Sequence, residues 1–234
     1  MDIQKQIDEA KEIDSLGREA AGAGDFEKAA GFFDKAAKIF ENIDDGVNRA
    51  LQLFNLANCF QVLKKDNQAL STFRMSYELI KDREKFLEHQ AMLLNNIGLL
   101  CVNSKNYDES LSSFEKACGI YEALNNENGK ALQLQNIGSV YRDLKKAEKA
   151  LERYFKSVAI FQKTENRLGE SDQYSNIAYI YVMDNNIDEA LKWYKKALDI
   201  YANIHEDEKA RVTKKNIEQL EGVRNTSSDG STKP

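Results

Sequence analysis

The sequence predicts an all-α fold, a stack of five helix-turn-helix units. Three observations carry this. An asparagine returns as Asn55, Asn96, Asn136, Asn176 and Asn216, at steps of 41, 40, 40 and 40 residues, and a fixed period in this range marks an array of like units. A second register travels with it: Leu56-Ala57, Ile97-Gly98, Ile137-Gly138 and Ile177-Ala178, with Leu16-Gly17 one period earlier. The only proline among 234 residues is Pro234, the last. Helices are therefore interrupted only by Gly-, Asn- and Asp-containing punctuation.

Within each unit the first helix shows apolar residues at i, i+3, i+4 and i+7: Leu53, Leu56, Ala57 and Phe60, then Leu94, Ile97, Gly98 and Cys101, and so on to Tyr174, Ile177, Ala178 and Tyr181. That spacing is one face of an α-helix. A helical glycine costs about 1 kcal/mol against alanine, so its recurrence implies that a neighbour approaches closely there. A polar turn follows, as in Lys64-Lys65-Asp66-Asn67 or Asp184-Asn185-Asn186. Asn106 with Glu109, and Asn186 with Glu189, have the spacing of a capping box. Lys145-Lys146-Ala147 has no Gly, Asn or Asp, and a less sharply defined turn is expected there. The second helix places small residues around one aromatic: Ala29-Phe33-Ala36, Ala69-Phe73-Ser76, Ser110-Phe114-Ala117, Ala150-Tyr154-Ser157 and Ala190-Tyr194-Ala197. The small residues seat the partner helix and the ring fills the space between helices. Asn42–Gly46, Asn125–Gly129 and Glu165–Gly169 read as loops that close the units.

The pattern L/I-G/A-x-x-Y/F/C, then A/S, F/Y and A/S, resembles the tetratricopeptide repeat over residues 10–203. The usual unit has about 34 residues and a closing proline. This one has 40 and no such proline, so longer helices around the connection between units are expected. In that respect it is similar to the repeats of kinesin light chain, spindle-orientation adaptors and bacterial signalling-peptide receptors. The resemblance implies a right-handed α-solenoid with units near residues 10–46, 47–86, 87–129, 130–169 and 170–206. Residues 207–222 carry Asn216-Ile217 in register but Glu218 where Gly or Ala is expected, and read as a capping helix. Residues 223–234 hold few apolar side chains and read as a disordered tail.

Composition narrows the function. Net charge is −5, from 33 basic and 38 acidic residues, with no basic block, which speaks against nucleic acid. No apolar run approaches the roughly 18 residues of a membrane helix, and the start is amphipathic and charged, unlike a secretory signal. Cys59, Cys101 and Cys118 occupy apolar positions with no CxxC spacing, and read as reduced thiols in a cytoplasmic protein. No nucleophile–base pair, metal-ligand cluster or Gly-rich phosphate loop is present. No catalytic residue, metal or cofactor is expected.

In arrays of the resembled kind the first helices line the concave face, which implies that the asparagine stripe faces a groove. An asparagine has one acceptor and two donors and can hold a peptide backbone whatever its sequence, while apolar neighbours select side chains. The candidate partner-binding residues are Asn55, Asn58, Asn96, Leu99, Asn136, Ser139, Arg142, Asn176 and Tyr179. The same asparagines could instead fix the stacking of helices, and Asn216 is expected to be structural. Only Arg18 and Arg142 are basic among the groove positions, so a neutral or amphipathic protein or peptide segment suits the face better than an acidic C-terminus. The expected function is a non-catalytic scaffold or adaptor. A receptor for a signalling peptide acting on a separate effector, and a self-assembling homo-oligomer stacked through its end units, are the alternatives.

Overall fold

The structure, a computed structural model, describes residues 2–229, with side chains as far as Asn225. It divides into two compact units, Met1–Leu124 and Asn125–Pro234. The first holds α1 (Ile3–Gly22), α2 (Phe26–Asn42), α3 (Gly46–Val62), α4 (Asp66–Ile80), α5 (Leu87–Asn103) and α6 (Tyr107–Ala123), with a short 3-10 turn, Glu84–Phe86, before α5. The second holds α7 (Glu127–Asp143), α8 (Ala147–Lys163), α9 (Arg167–Met183), α10 (Ile187–Asn203) and α11 (Asp207–Asp229). No strand occurs among the described residues, and the all-α class expected from the sequence is the observed one. Within each unit every first helix packs on its second helix as a hairpin, and that helix packs on the next first helix.

The 40-residue period has a simple origin. From α7 to α10 each helix has 17 residues and each connection has three. The extra length over a short repeat is thus entirely helical. The single step of 41 falls where α4 stops after 15 residues and the 3-10 turn intervenes. The buried Gln90 side chain secures this irregular corner, donating to the Ile80 carbonyl at 2.8 Å and the Arg83 carbonyl at 2.9 Å.

The three-residue turns share one conformation, and it corrects three expectations. The middle residue is left-handed in each: Asp44, Lys64, Lys105, Asn125, Lys145, Glu165, Asn185 and His205 have φ between 54° and 59°, and Gly24 has 80°. The next N–H reaches back to the carbonyl five residues earlier, as in Lys65 to Phe60 at 2.8 Å and Asn186 to Tyr181 at 2.8 Å. This is the Schellman closure of a helix C-terminus. The Lys145-Lys146 turn is as well formed as the rest, with Lys145 at φ 57° and Lys146 N–H on the Tyr141 carbonyl at 2.9 Å. Backbone closure, not a Gly or Asn, specifies it. The residue that makes this bond is also the N-cap of the following helix. Its N–H is already spent, so the reciprocal half of a capping box cannot form. Asn186 does accept from the Glu189 N–H at 3.3 Å, but the Glu189 carboxylate turns to Lys192. Asn106 makes no cap bond; its amide meets Glu109, which Arg74 of α4 grips with two nitrogens. Finally, the stretches read as loops are half helix. Asp45, Asn126 and Asn166 cap Asn48, Gly129 and Gly169, so the polar residues after them form first turns of α3, α7 and α9.

The core follows the repeat pattern. A Cβ on Gly98 would lie 2.5 Å from the Phe114 ring, and one on Gly138 would lie 2.7 Å from the Tyr154 ring. Both rings are fully buried. Close approach is therefore what the recurrent glycine allows, and a methyl there would push the ring out of its seat. Two buried hydroxyls stitch second helices to their first helices at the same register: Ser76 donates to the Ala50 carbonyl at 2.7 Å, and Ser157 to the Ala131 carbonyl at 2.9 Å. In the second unit the buried Glu170 accepts from Tyr174, Gln162 and Arg167, tying α8 to α9. Burial, then the Glu170 bond, pushes the Tyr174 phenol up to about 12.

Thr213, Ile217 and Leu220 bury one side of α11, while Lys214, Lys215 and Glu218 are exposed. The helix continues beyond the 207–222 span expected of it, to Asp229. Residues 230–234 of the expected tail lie outside the described residues. Cys59 and Cys101 are buried thiols and Cys118 is half-buried. Burial, with Glu109 beside it, pushes the Cys101 thiol up to about 11, which suppresses thiolate chemistry.

Candidate functional site

Four of the repeated asparagines share one environment on the first helices. Asn55, Asn96, Asn136 and Asn176 are all half-buried, one residue before a buried Leu or Ile. The same helix faces mix polar side chains such as Asn58, Ser139 and Asp172 with exposed apolar ones: Val62, Met92 and Leu99 in the first unit, Leu132, Tyr179 and Met183 in the second.

In the first unit Asn55 and Asn58 line a pocket of about 260 Å³ with Arg18 of α1 and Phe26 and Phe33 of α2. Its floor is apolar. Arg18 at its rim is paired with Asp14 at 2.9 Å. Asn96 and Leu99, on α5, lie outside this pocket; the Asn96 carbonyl oxygen accepts from the Asn95 amide at 3.5 Å.

In the second unit a larger pocket, about 490 Å³, opens between α9 and α11, with Tyr194 and Tyr201 of α10 as its floor. Asn176 and Tyr179 line it, and so do Asp172, Ser175, Lys209 and Asn216. The Asn176 amide donates to Gln173 at 3.3 Å, and Gln173 in turn donates to Gln135 of α7 at 2.5 Å. Asp172 accepts from the Tyr201 hydroxyl at 2.7 Å and from Lys209 at 2.6 and 2.8 Å. Burial pushes the Tyr201 and Tyr194 phenols up, opposed at Tyr201 by Ser175 and at Tyr194 by Asn216. Both stay protonated at neutral pH, and Tyr201 donates to Asp172.

The other sequence-chosen residues sit on α7. Ser139 shares a hydrogen bond with the Tyr154 hydroxyl at 3.2 Å. Arg142 holds Asp143 at 2.8 Å and lies 5.8 Å from the Tyr179 ring centroid, so it braces the face rather than reaching out as a free cation. Asn216 lines the second pocket beside Tyr194. Tyr194 was expected only as a core ring, and Tyr201 and Lys209 were not among the expected site residues. The available signal was the floor column itself, which changes from Phe33, Phe73 and Phe114 to Tyr154 and Tyr194.

A family model for the soluble NSF attachment protein, SNAP, matches residues 22–154, and a tetratricopeptide repeat model matches residues 130–203. No curated protein matches the sequence. Among solved structures, the apo form of RapI superposes with a TM-score of 0.79 at 18% identity, over 88% of this chain and 75% of that one. Aspartyl phosphate phosphatase F from Bacillus subtilis gives 0.76 at 18%, over 97% of this chain and 58% of that one. Kinesin light chain TPR-like repeats from Podosopora anserina give 0.72 at 13%, over 86% and 98%. At these identities the likeness is one of fold. The chain spans three quarters of the RapI chain and little more than half of the phosphatase.

Proposed function

We propose that this chain, which belongs to the soluble NSF attachment protein family and is built of tetratricopeptide repeats, is a non-catalytic scaffold that binds a protein or peptide segment on the face formed by its first helices. One observation carries the reading: half-buried amides are flanked by exposed Leu, Met, Val and Tyr side chains on that face. An amide can hold a partner's backbone while the apolar neighbours gain from being covered. The contact residues are Asn55, Asn58, Asn96 and Leu99 in the first unit, and Asn136, Ser139, Arg142, Asn176 and Tyr179 in the second. The mixture suits an amphipathic or neutral segment. No helix among the described residues is long and apolar enough to cross a membrane, and a cytoplasmic setting fits the buried thiols.

The test is affinity capture with the wild type, with Asn96→Ala plus Asn136→Ala, with Leu99→Asp, and with Met75→Asp as a control. Met75 is exposed on a second helix. The asparagine pair and Leu99→Asp are expected to lose the same captured proteins while Met75→Asp keeps them, circular dichroism being unchanged in all. Retention by both face variants would overturn the reading.

A further inference from the structure

The pocket between α9 and α11 carries a more specific inference, which rests on the partner-binding reading above. The residue four before each asparagine is Leu51, Met92 and Leu132 on α3, α5 and α7, but Asp172 on α9. A charge thus replaces an aliphatic side chain on the contact face. Its carboxylate is oriented by the Tyr201 hydroxyl at 2.7 Å, and the Lys209 ammonium completes its coordination while lying 5.7 Å from the Tyr201 ring centroid. A carboxylate beside an aromatic face is the chemistry that holds an alkylammonium or guanidinium.

Two properties separate this pair from a plain structural staple. The Lys209 and Asp172 side chains are 41% and 31% exposed, and an ion pair so open to water adds little to stability and exchanges readily. The pocket also extends far beyond the Lys209 ammonium. It continues past Ser175, Asn176 and Asn216 to the exposed Tyr179 ring, with a volume in the range of small ligand sites. The charge of its other acid, Glu208, is taken up by Arg211 at 2.6 Å. Asp172 differs from it in being aimed by a tyrosine hydroxyl, with an aromatic ring beside its cation. We propose that Asp172 is the recognition carboxylate for a cationic side chain, lysine or arginine, on an otherwise amphipathic partner segment, and that Lys209 holds that place in the unbound protein as an internal stand-in. Binding exchanges one cation for another. The Tyr201 hydroxyl keeps the carboxylate aimed throughout, and the amides of Asn176 and Asn216 meet the segment beside it.

The test uses n-butylammonium as the probe and n-butanol as its neutral twin, titrated into the full chain and followed by the amide resonances of Ser175, Asn176 and Asn216. Lys209→Met removes the stand-in and keeps the aliphatic stem. Where an internal cation closes a site about nine-tenths of the time, its removal tightens binding about tenfold. Lys209→Met is expected to bind butylammonium about tenfold more tightly than the wild type, with no gain for butanol. Adding Asp172→Asn is expected to abolish the gain. A folded Lys209→Met that binds no better, or a double variant that binds equally well, overturns the proposal. Lys209→Gln, which can still bond Asp172, serves the same comparison if the methionine variant is unstable. The small-molecule readout does not depend on protein capture, so its failure is distinct from failure of the scaffold reading.

Discussion

The two units are built to one plan and floored with different chemistry. In the first, the rings beneath the first helices are Phe33, Phe73 and Phe114; in the second they are Tyr154 and Tyr194. All five are buried. A buried phenol must find a partner, and the helix above supplies it. Ser139 faces Tyr154, whereas the residue at the same register above Phe114 is Leu99. Tyr194 has Asn216 beside it. The result is an apolar-floored pocket in one unit and a hydroxyl-lined one in the other. One oxygen per repeat changes the chemistry of the floor and leaves the backbone alone.

The comparison can be broken first through its rings. Phe114→Ala should cost about 3–5 kcal/mol by opening a cavity under Gly98, while Tyr154→Phe should cost only about 1 kcal/mol, the net value of its bond to Ser139. Urea unfolding measures both. A near-zero cost for Phe114→Ala would contradict the ring's place in the core.

High pH should separate the units next. The phenols of Tyr154, Tyr174, Tyr194 and Tyr201 in the second unit are pushed up, chiefly by burial, as are Tyr77 and Tyr121 in the first. A raised folded-state pKa on a phenol favours the protonated form in the fold. That stability is fully present below the unfolded value of about 10 and is lost as pH rises through the folded value, about 12 for Tyr174. The second unit should therefore weaken more than the first between pH 10 and 12. Trp193 is the only tryptophan and lies in the second unit. Its fluorescence midpoint in urea should fall further with pH than the midpoint of the circular dichroism signal from both units. Equal shifts would refute the asymmetry.

Smaller effects sharpen the common plan. Ser76→Ala and Ser157→Ala each remove one buried hydroxyl bond to a first-helix carbonyl and should cost about 1–2 kcal/mol, similar in the two units. A large difference would mean that the two hairpins are not equivalent. Smallest of all, Lys145→Gly relieves a left-handed non-glycine residue, a relief offset in part by the entropy of the unfolded glycine. A net gain of up to about 1 kcal/mol is expected by thermal unfolding. A clear loss would show that the Lys145 side chain contributes more than its backbone strain costs.

Helices, their period and the seating of each ring under a small residue were legible from the chain because they depend on contacts one or two turns apart, or on a fixed spacing within one hairpin. Gly98 with Phe114 and Gly138 with Tyr154 are such pairs. The turns were only half legible. Lys64, Lys105 and Lys145 adopt a conformation their residue type disfavours, because the stacked helices require the Schellman closure. That closure uses the N–H that a capping box would need. The candidate site was legible as a row of half-buried asparagines but not as pockets.

What the sequence determined by itself was the repeat: which residues turn inward and which helix faces carry amides and exposed apolar groups, since helical geometry alone converts spacing into a face. What the tertiary structure decided was the company those residues keep. Asp172 meets Lys209 and Tyr201 only because α9, α10 and α11 pack at one particular register. That register joins residues 29 and 37 positions apart on three different helices, which the spacing within one helix or hairpin does not encode.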